Sequence, residues 1–527
     1  MRDFHHPGRS AVYAENGICA TSHPLAAQTA IATLQAGGNA VDAAIAGAVL
    51  LGLCEPAMTG IGGDCFVLVK PAGSEEIVAL NGSGRAPAAL SGAALRDAGH
   101  KTMPVFGDPA AVTIPGAVDA FCRLSADYGK LGLDAVLAPT IHYAEAGVPV
   151  APRAQFDWTH HHDTLSPTAR RHYLIDDAAP RVGQLFRHPG QAEVLRRVAR
   201  DGRKAFYEGE VAEDMVAALR ALGGVHTLED FAATACDYTT PISGSYKGVE
   251  LVEHPPNGQG ATAILLNNIL AEFDIPSMDP WGTERAHIEA EATKLAYDAR
   301  DRFLADADHM TRLAHMLDPA TGRRLAALID PTRAMASARA LSEATHKETI
   351  YLTVVDRDRM AVSLIYSVFK DFGSGIATDR FGILFQNRGA GFSLEEGHPN
   401  EANGGKRPMH TIIPAMLKQA GRVIMPFGVM GGQYQSTGHA RFVSNVVDFG
   451  LDPQAAIDAP RCFSEYGSMK VEKGYGDTVR QGLSDLGHAV TIPPVGIGGA
   501  QAIRIDHDLG VLEGGSDPRK DGIALGY

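Results

Sequence analysis

The chain has 527 residues, and at ~150 residues per domain its length alone suggests three or four domains. Hydrophobic residues make up 45% and charged residues 20%, an ordinary globular balance, and the formal net charge of −14 argues against a nucleic-acid partner, whose phosphates call for a basic surface. No stretch reaches the ~18 apolar residues of a membrane span, and residues 1–8 lack the apolar core of a signal peptide, so a cytoplasmic protein with no membrane partner is expected.

Residues 22–36 read as a helix, with Ser22 as N-cap, Pro24 in the first turn and Gly37-Gly38 as the stop. A second, largely apolar helix covers 39–53 and starts at Asn39. Gly60-Ile61-Gly62-Gly63-Asp64 then leads into a short strand, Cys65 to Val69. The order is helix, helix, loop, strand. A dinucleotide fingerprint needs strand, loop, helix, so that function is excluded. The six cysteines, Cys19, Cys54, Cys65, Cys122, Cys236 and Cys462, include no CxxC pair and several sit in apolar runs, which predicts buried reduced thiols.

Residues 110–345 look mainly helical, with a strong amphipathic helix from Glu284 to Phe303. Within them, His160-His161-His162-Asp163 invites a metal reading. Adjacent histidines cannot converge on one ion from regular structure, so the run is read as a solvated loop, and no metal or cofactor is expected. Residues 331–348 have linker composition, rich in alanine and small polar residues.

The character changes at Thr349. Thr349 to Asp356 is dense in β-branched and aromatic residues, Arg357-Asp358-Arg359 is a turn, and Met360 to Phe369 is a second strand. A three-residue loop makes the position numbers of facing residues sum to 716, which sets Thr349 opposite Ser367; a two-residue loop would set Tyr366 there instead. Directly opposed side chains have Cβ atoms ~5 Å apart, within reach of a hydroxyl–hydroxyl bond. Further strands are expected at 382–386, 411–418 and 423–427.

A threonine opening a strand after a loose linker is the arrangement an N-terminal nucleophile needs. Its hydroxyl attacks the Glu348 carbonyl, the peptide shifts to an ester, and water releases a new N-terminus. The freed α-amine, with a pKa of ~8, then serves as base for its own hydroxyl. Threonine also opens many strands that do no chemistry. Gly428-Val429-Met430-Gly431-Gly432-Gln433 follows an apolar strand and offers either a tight turn or backbone N–H groups for a developing oxyanion.

Motifs along nearly the whole chain point one way. They are Ala20-Thr21-Ser22-His23-Pro24-Leu25-Ala26, Gly37-Gly38-Asn39-Ala40-Val41-Asp42-Ala43-Ala44, Gly60-Ile61-Gly62-Gly63, Pro255-Pro256-Asn257-Gly258-Gln259-Gly260, Asp298-Ala299-Arg300-Asp301-Arg302, Lys406-Arg407-Pro408, Gly431-Gly432 and Ser516-Asp517-Pro518-Arg519-Lys520-Asp521-Gly522. In this order they resemble the γ-glutamyltransferase family of N-terminal nucleophile (Ntn) hydrolases. The resemblance implies a four-layer αββα sandwich of the α+β class. It implies autocleavage into a large subunit, 1–348, and a small subunit, 349–527, which stay together as one intertwined domain. It also allows a homodimer of processed heterodimers. Thr349 matches the family nucleophile, Ser367 the second hydroxyl, and Gly431 and Gly432 the oxyanion-hole glycines.

The amino-acid pocket departs from the pattern. Phe369 stands where the family has an asparagine that holds the substrate ammonium, and Gly391 where it has an aspartate. His410 and Thr411 replace paired serines, and Arg85 is displaced from the family arginine position, where Ser83 stands. The segment between Phe392 and Lys406, which supplies a lid in many relatives, is short. A buried ammonium without an anionic partner is costly by several kcal/mol, whereas Arg388, Arg85 and His410 suit a carboxylate without an amino group. The pattern resembles a subgroup that includes oxamate amidohydrolases, which implies hydrolysis of a small carboxylate amide to oxalate and ammonia. The alternatives are a γ-glutamyl hydrolase or transferase with a different pocket, an acylase for larger amides, and a non-catalytic scaffold that keeps the fold.

Overall fold

β-Branched and aromatic runs from both ends of the sequence meet in two antiparallel sheets. The computed structural model describes residue 5 and residues 8–335, 349–465 and 467–527. Glu348 and the linker residues 336–347 lie outside these. The strands of these two sheets are β1 (Val12–Ala14), β2 (Gly17–Thr21), β3 (Asp64–Lys70), β4 (Val78–Gly82), β5 (Asp237–Thr239), β6 (Ile242–Tyr246), β7 (Val249–Glu253), β8 (Ile350–Asp356), β9 (Ala361–Ser367), β10 (Ala415–Gln419), β11 (Arg422–Met430), β12 (Gly499–Asp506), β13 (Val511–Ser516) and β14 (Ile523–Gly526). One sheet has the order β14-β2-β8-β9-β3-β4-β5, the other β1-β13-β12-β11-β10-β7-β6. Each sheet therefore draws strands from both sides of Thr349, where the length alone suggests separate domains.

Alternation along each strand sorts the core into layers. Ile350, Leu352 and Val354 of β8 face outward and pack with helices α1 (Pro24–Gln35) and α2 (Ala40–Cys54). On the far side, Leu417, Met425 and Phe427 pack against α3 (Gly260–Leu270), α4 (Thr283–Phe303) and α5 (Gln435–Val447). The intervening residues meet between the sheets. Val355 packs there with Met416 and Ile503, and Tyr351 with Phe66, Ile412 and Met430. The result is the αββα sandwich. Both strands of the β8–β9 hairpin are buried along their whole length, as expected for the centre of a covered sheet.

Several local expectations are corrected. α1 is capped by His23, whose ring accepts from the Leu25 amide, while the Ser22 hydroxyl turns to Glu55 at 2.5 Å. Residues 110–345 also supply β5, β6 and β7, short strands that their polar, glycine-containing sequence conceals. Residues 382–386 form no strand and make a single isolated β-bridge, Leu384 to Ala377, while the Gln386 amide donates to the Gly62 carbonyl of the glycine loop. The expected loop at 160–163 is instead the end of a helix, Pro152–His161, followed by a 3-10 turn, His162–Thr164. α2 does begin from Asn39, which forms a capping box with Asp42. All six cysteines are free, four of them buried and Cys122 and Cys236 partly so.

The glycine loop before β3 is fixed by close approach. A Cβ on Gly63 would lie 2.3 Å from the Ser367 carbonyl oxygen, and one on Gly62 2.1 Å from that of Leu384. Backbone cannot yield as a side chain does. Gly63→Ala is expected to lower stability by about 1–3 kcal/mol, read as a lower melting temperature by circular dichroism.

Candidate active site

Thr349 stands immediately before β8 and is buried. The hairpin has the three-residue-loop register, with Ile350 facing Tyr366 and Val355 facing Ala361. Thr349 Oγ1 and Ser367 Oγ lie 3.2 Å apart. Ser367 Oγ also accepts the Phe369 amide at 2.8 Å, so its own proton is available to Thr349. Two residues on, Tyr351 shares this face and bonds to Ser363 at 2.6 Å, and Ser363 Oγ in turn accepts the Ala415 amide of the other sheet. The sheets are thereby tied together beside the threonine.

Beyond β9 the backbone turns sharply, and Phe369 takes φ of +83°. Its ring meets the Arg388 guanidinium at 3.9 Å from the centroid, a stacked cation–π contact. Arg388 has no solvent exposure. Its Nη1 donates to Thr411 Oγ1 at 3.1 Å, while Nε and Nη2 have no hydrogen-bond partner. Burial pulls this guanidinium down to about 9, and Asp64 pulls the other way.

The Gly431-Gly432 turn is joined to the same cluster. Gln259 Nε2 donates to the carbonyls of both Thr411, at 2.7 Å, and Gly432, at 3.1 Å. From α4, Tyr297 bonds to the Gln433 carbonyl and Arg300 to the Gln433 side chain. Gly431, at φ of +121°, and Gly432, at +54°, adopt backbone that favours glycine. They head a 3-10 turn that runs directly into α5, where the first N–H groups lack helical acceptors and the helix dipole is positive.

His410 is fully buried, and both ring nitrogens are engaged. Nδ1 accepts the Ile412 amide at 3.3 Å, so Nε2 carries the proton and donates to Asp64 Oδ2 at 3.1 Å. Burial, with Arg388 nearby, holds this imidazole well below its usual value and therefore neutral. The structure thus joins Thr349, Ser367, Phe369, Arg388, His410, Thr411 and Gly432 through successive contacts. Arg85 points elsewhere. Its side chain is 43% exposed, pairs with Asp306 at 3.2 Å and donates to the Gly405 carbonyl at 2.9 Å.

Sequence reasoning passed over Asp64, Gln259 and the Tyr297–Arg300 brace. A charge opening an otherwise apolar strand was the available signal for Asp64. The His160–His162 run does not converge: His160 and His162 bond to the local carbonyls of Phe156 and Thr159. Elsewhere His287, Glu291 and His488 bring potential ligand atoms within 4.8 Å. Those atoms are already engaged, His287 Nδ1 with His488 Nε2 at 2.7 Å and Glu291 with Lys294 and the Met335 amide.

Two stacked sheets between helical layers, with the Thr349 and Ser367 hydroxyls meeting on the central hairpin and a glycine turn at a helix N-terminus, are the architecture of the N-terminal nucleophile hydrolases. The family model described as gamma-glutamyltranspeptidase matches residues 26–527, and the chain belongs to that family. It is 35% identical to the glutathione hydrolase-like YwrD proenzyme of Bacillus subtilis, over 96% of this chain and 97% of that protein. It is 32% identical to the oxamate amidohydrolase proenzyme of Klebsiella pneumoniae, over 97% of this chain and 98% of that one. The crystal structure of cephalosporin acylase from Bacillus halodurans superposes with a TM-score of 0.93 at 37% identity, over 100% of this chain and 99% of that one.

The buried pair makes stability depend on pH in two opposed ways. His410 stays neutral in the fold but takes a proton in the unfolded chain near its usual 6.5, so its contribution falls as pH drops. Burial raises Asp64 to about 6 from 3.8, so the fold takes up that proton first and its contribution rises as pH drops across that window. With His410→Gln only the second effect remains. Relative to the parent protein, the variant should gain up to about 1.4 kcal/mol per pH unit as pH falls from 6 towards 4, measured by urea unfolding at each pH.

Proposed function

We propose that the protein is an autoprocessing amidohydrolase with Thr349 as nucleophile, acting on the amide of a small carboxylate such as oxamate. The observation that carries the substrate reading is the Nε–Nη2 edge of Arg388, fully buried and without a partner. That edge is the side-on fork that binds a planar carboxylate through two parallel N–H bonds. Phe369 backs the guanidinium, and Thr411 holds its far nitrogen. Phe369 and Gly391 offer nothing anionic to a substrate ammonium, which disfavours a γ-glutamyl group.

In this reading, cleavage between Glu348 and Thr349 gives fragments 1–348 and 349–527, held together because both sheets interleave their strands. The proenzyme names of the relatives support such processing. The Thr349 hydroxyl then attacks the amide carbon and its proton passes to the α-amine, with Ser367 orienting Oγ1. The N–H groups of Gly431 and Gly432 receive the oxyanion. The C–N bond breaks as the ammonium of Thr349 protonates the leaving nitrogen, giving ammonia and an acyl ester. Water, deprotonated by the same amine, cleaves the ester to oxalate and restores the hydroxyl. His410 orients the pocket through Asp64, while Arg85, committed to Asp306 and the Gly405 carbonyl, takes no part.

A second reading, an acylase for larger amides, is favoured by the likeness to the cephalosporin acylase. Rates on oxamate, glutathione, a γ-glutamyl anilide and a cephalosporin side-chain amide, measured side by side, separate the readings. Oxamate is expected to be the best substrate; turnover of the glutamyl or cephalosporin substrate with oxamate untouched refutes the carboxylate reading. Arg388→Ala should raise KM for oxamate about 100-fold, equivalent to roughly 3 kcal/mol from two charge-assisted hydrogen bonds, and an unchanged KM removes Arg388 from the site.

A further inference from the structure

Asp64 lies in the same cross-strand row as the nucleophile. It faces Ser367 across β3 and β9, and Ser367 bonds to Thr349 across β9 and β8. Facing residues on adjacent strands project from the same side of a sheet, so all three point into the space between the sheets. Asp64 has no solvent exposure. Its Oδ1 accepts the amides of Gly84 at 2.9 Å and Gly116 at 3.2 Å, and the Gln386 side chain at 2.9 Å. Its Oδ2 accepts His410. Four donors fix the carboxylate, and it makes no hydrogen bond to Arg388, whose one such bond goes to Thr411.

That separation is the informative feature. Asp64 and Arg388 interact electrostatically, yet the Arg388 Nε–Nη2 edge stays open. A contact ion pair would close that edge to substrate. The other ionisable groups nearby leave the balance unchanged: His410 is neutral, His254 stacks on Phe66 and burial keeps it neutral at about 4, and Lys370 is offset by its neighbour Asp371. With the Thr349 amine in the uncharged form that acts as base, Asp64 balances Arg388. A bound monoanion makes the cluster negative by one charge, and a dianion by two.

We propose that Asp64 is a specificity-determining residue, a fixed counter-charge that permits Arg388 to be buried with its fork open, repels a second negative charge, and so expels the dicarboxylate product. The inference rests on the reading of Arg388 as the carboxylate site. Hydrolysis of a monoanionic amide leaves a dianion in the pocket, and repulsion from Asp64 acts on the product more than on the substrate.

The test uses the processed wild-type enzyme, Asp64→Asn and Arg388→Ala, with oxalate binding followed by calorimetry and oxalate inhibition by kinetics near neutral pH. Asp64→Asn should bind oxalate about five- to ten-fold more tightly, lower KM for oxamate by a smaller factor, and show a lower kcat limited by product release. A gain of affinity cannot arise from structural damage, so the direction of the effect separates charge from folding. Unchanged or weaker oxalate binding in Asp64→Asn, with Arg388→Ala strongly impaired, overturns the role of Asp64 and leaves the carboxylate site standing. Oxalate binding that is absent in the wild type, or unaffected by Arg388→Ala, overturns both.

Discussion

The site depends on the register of β9 between β8 and β3. That one alignment sets Ser367 against Thr349 on one side and against Asp64 on the other. Side chains alternate along a strand, so a slip of one residue would turn Ser367 towards the helix layer and bring Tyr366 into the space between the sheets. The register is guarded by burial on both faces. Outward residues of β8 fill the cluster with α1 and α2, and inward ones fill the space between the sheets. A slip would exchange two sets of shapes that fit different partners. The glycine loop closes the row from the end, since Gly63 lies too near the Ser367 carbonyl for any side chain.

Around this rigid row the chemistry is electrostatic. In and beside the row lie a buried guanidinium with two donors that lack a partner, a neutral histidine with both nitrogens engaged, and a carboxylate locked by four donors. Burying unpaired charge is unfavourable, and the arrangement offsets that penalty at a distance instead of by contact. The glycine turn follows the same logic. Tyr297, Arg300 and Gln259 brace it from behind, so the turn is held in place by hydrogen bonds from α4 and from the residue that caps α3.

The hairpin was readable from its β-branched composition, and the three-residue loop is the one of the two open alternatives that sets Thr349 opposite Ser367; the glycine pair was readable separately, after an apolar strand. α2 was readable from its apolar run and the Asn39 that opens it. Other features were not, for physical reasons. β5, β6 and β7 are short and carry polar residues and a glycine, so their strand character comes from neighbours rather than from composition. Arg388 and Arg85 look alike in sequence; only tertiary contacts show that one is stacked on Phe369 and the other committed to Asp306. Asp64 shows in sequence only as a charge that opens an apolar strand, and the register then sets it opposite Ser367.

The central claim is that Thr349 becomes a free N-terminus and attacks from there. Intact-mass spectrometry of the freshly purified protein beside a Thr349→Ala variant tests it most directly. The account predicts two fragments, divided between Glu348 and Thr349, in the parent protein and a single uncut chain in the variant. A single 55.7 kDa chain in both, or the same fragments in both, would contradict it.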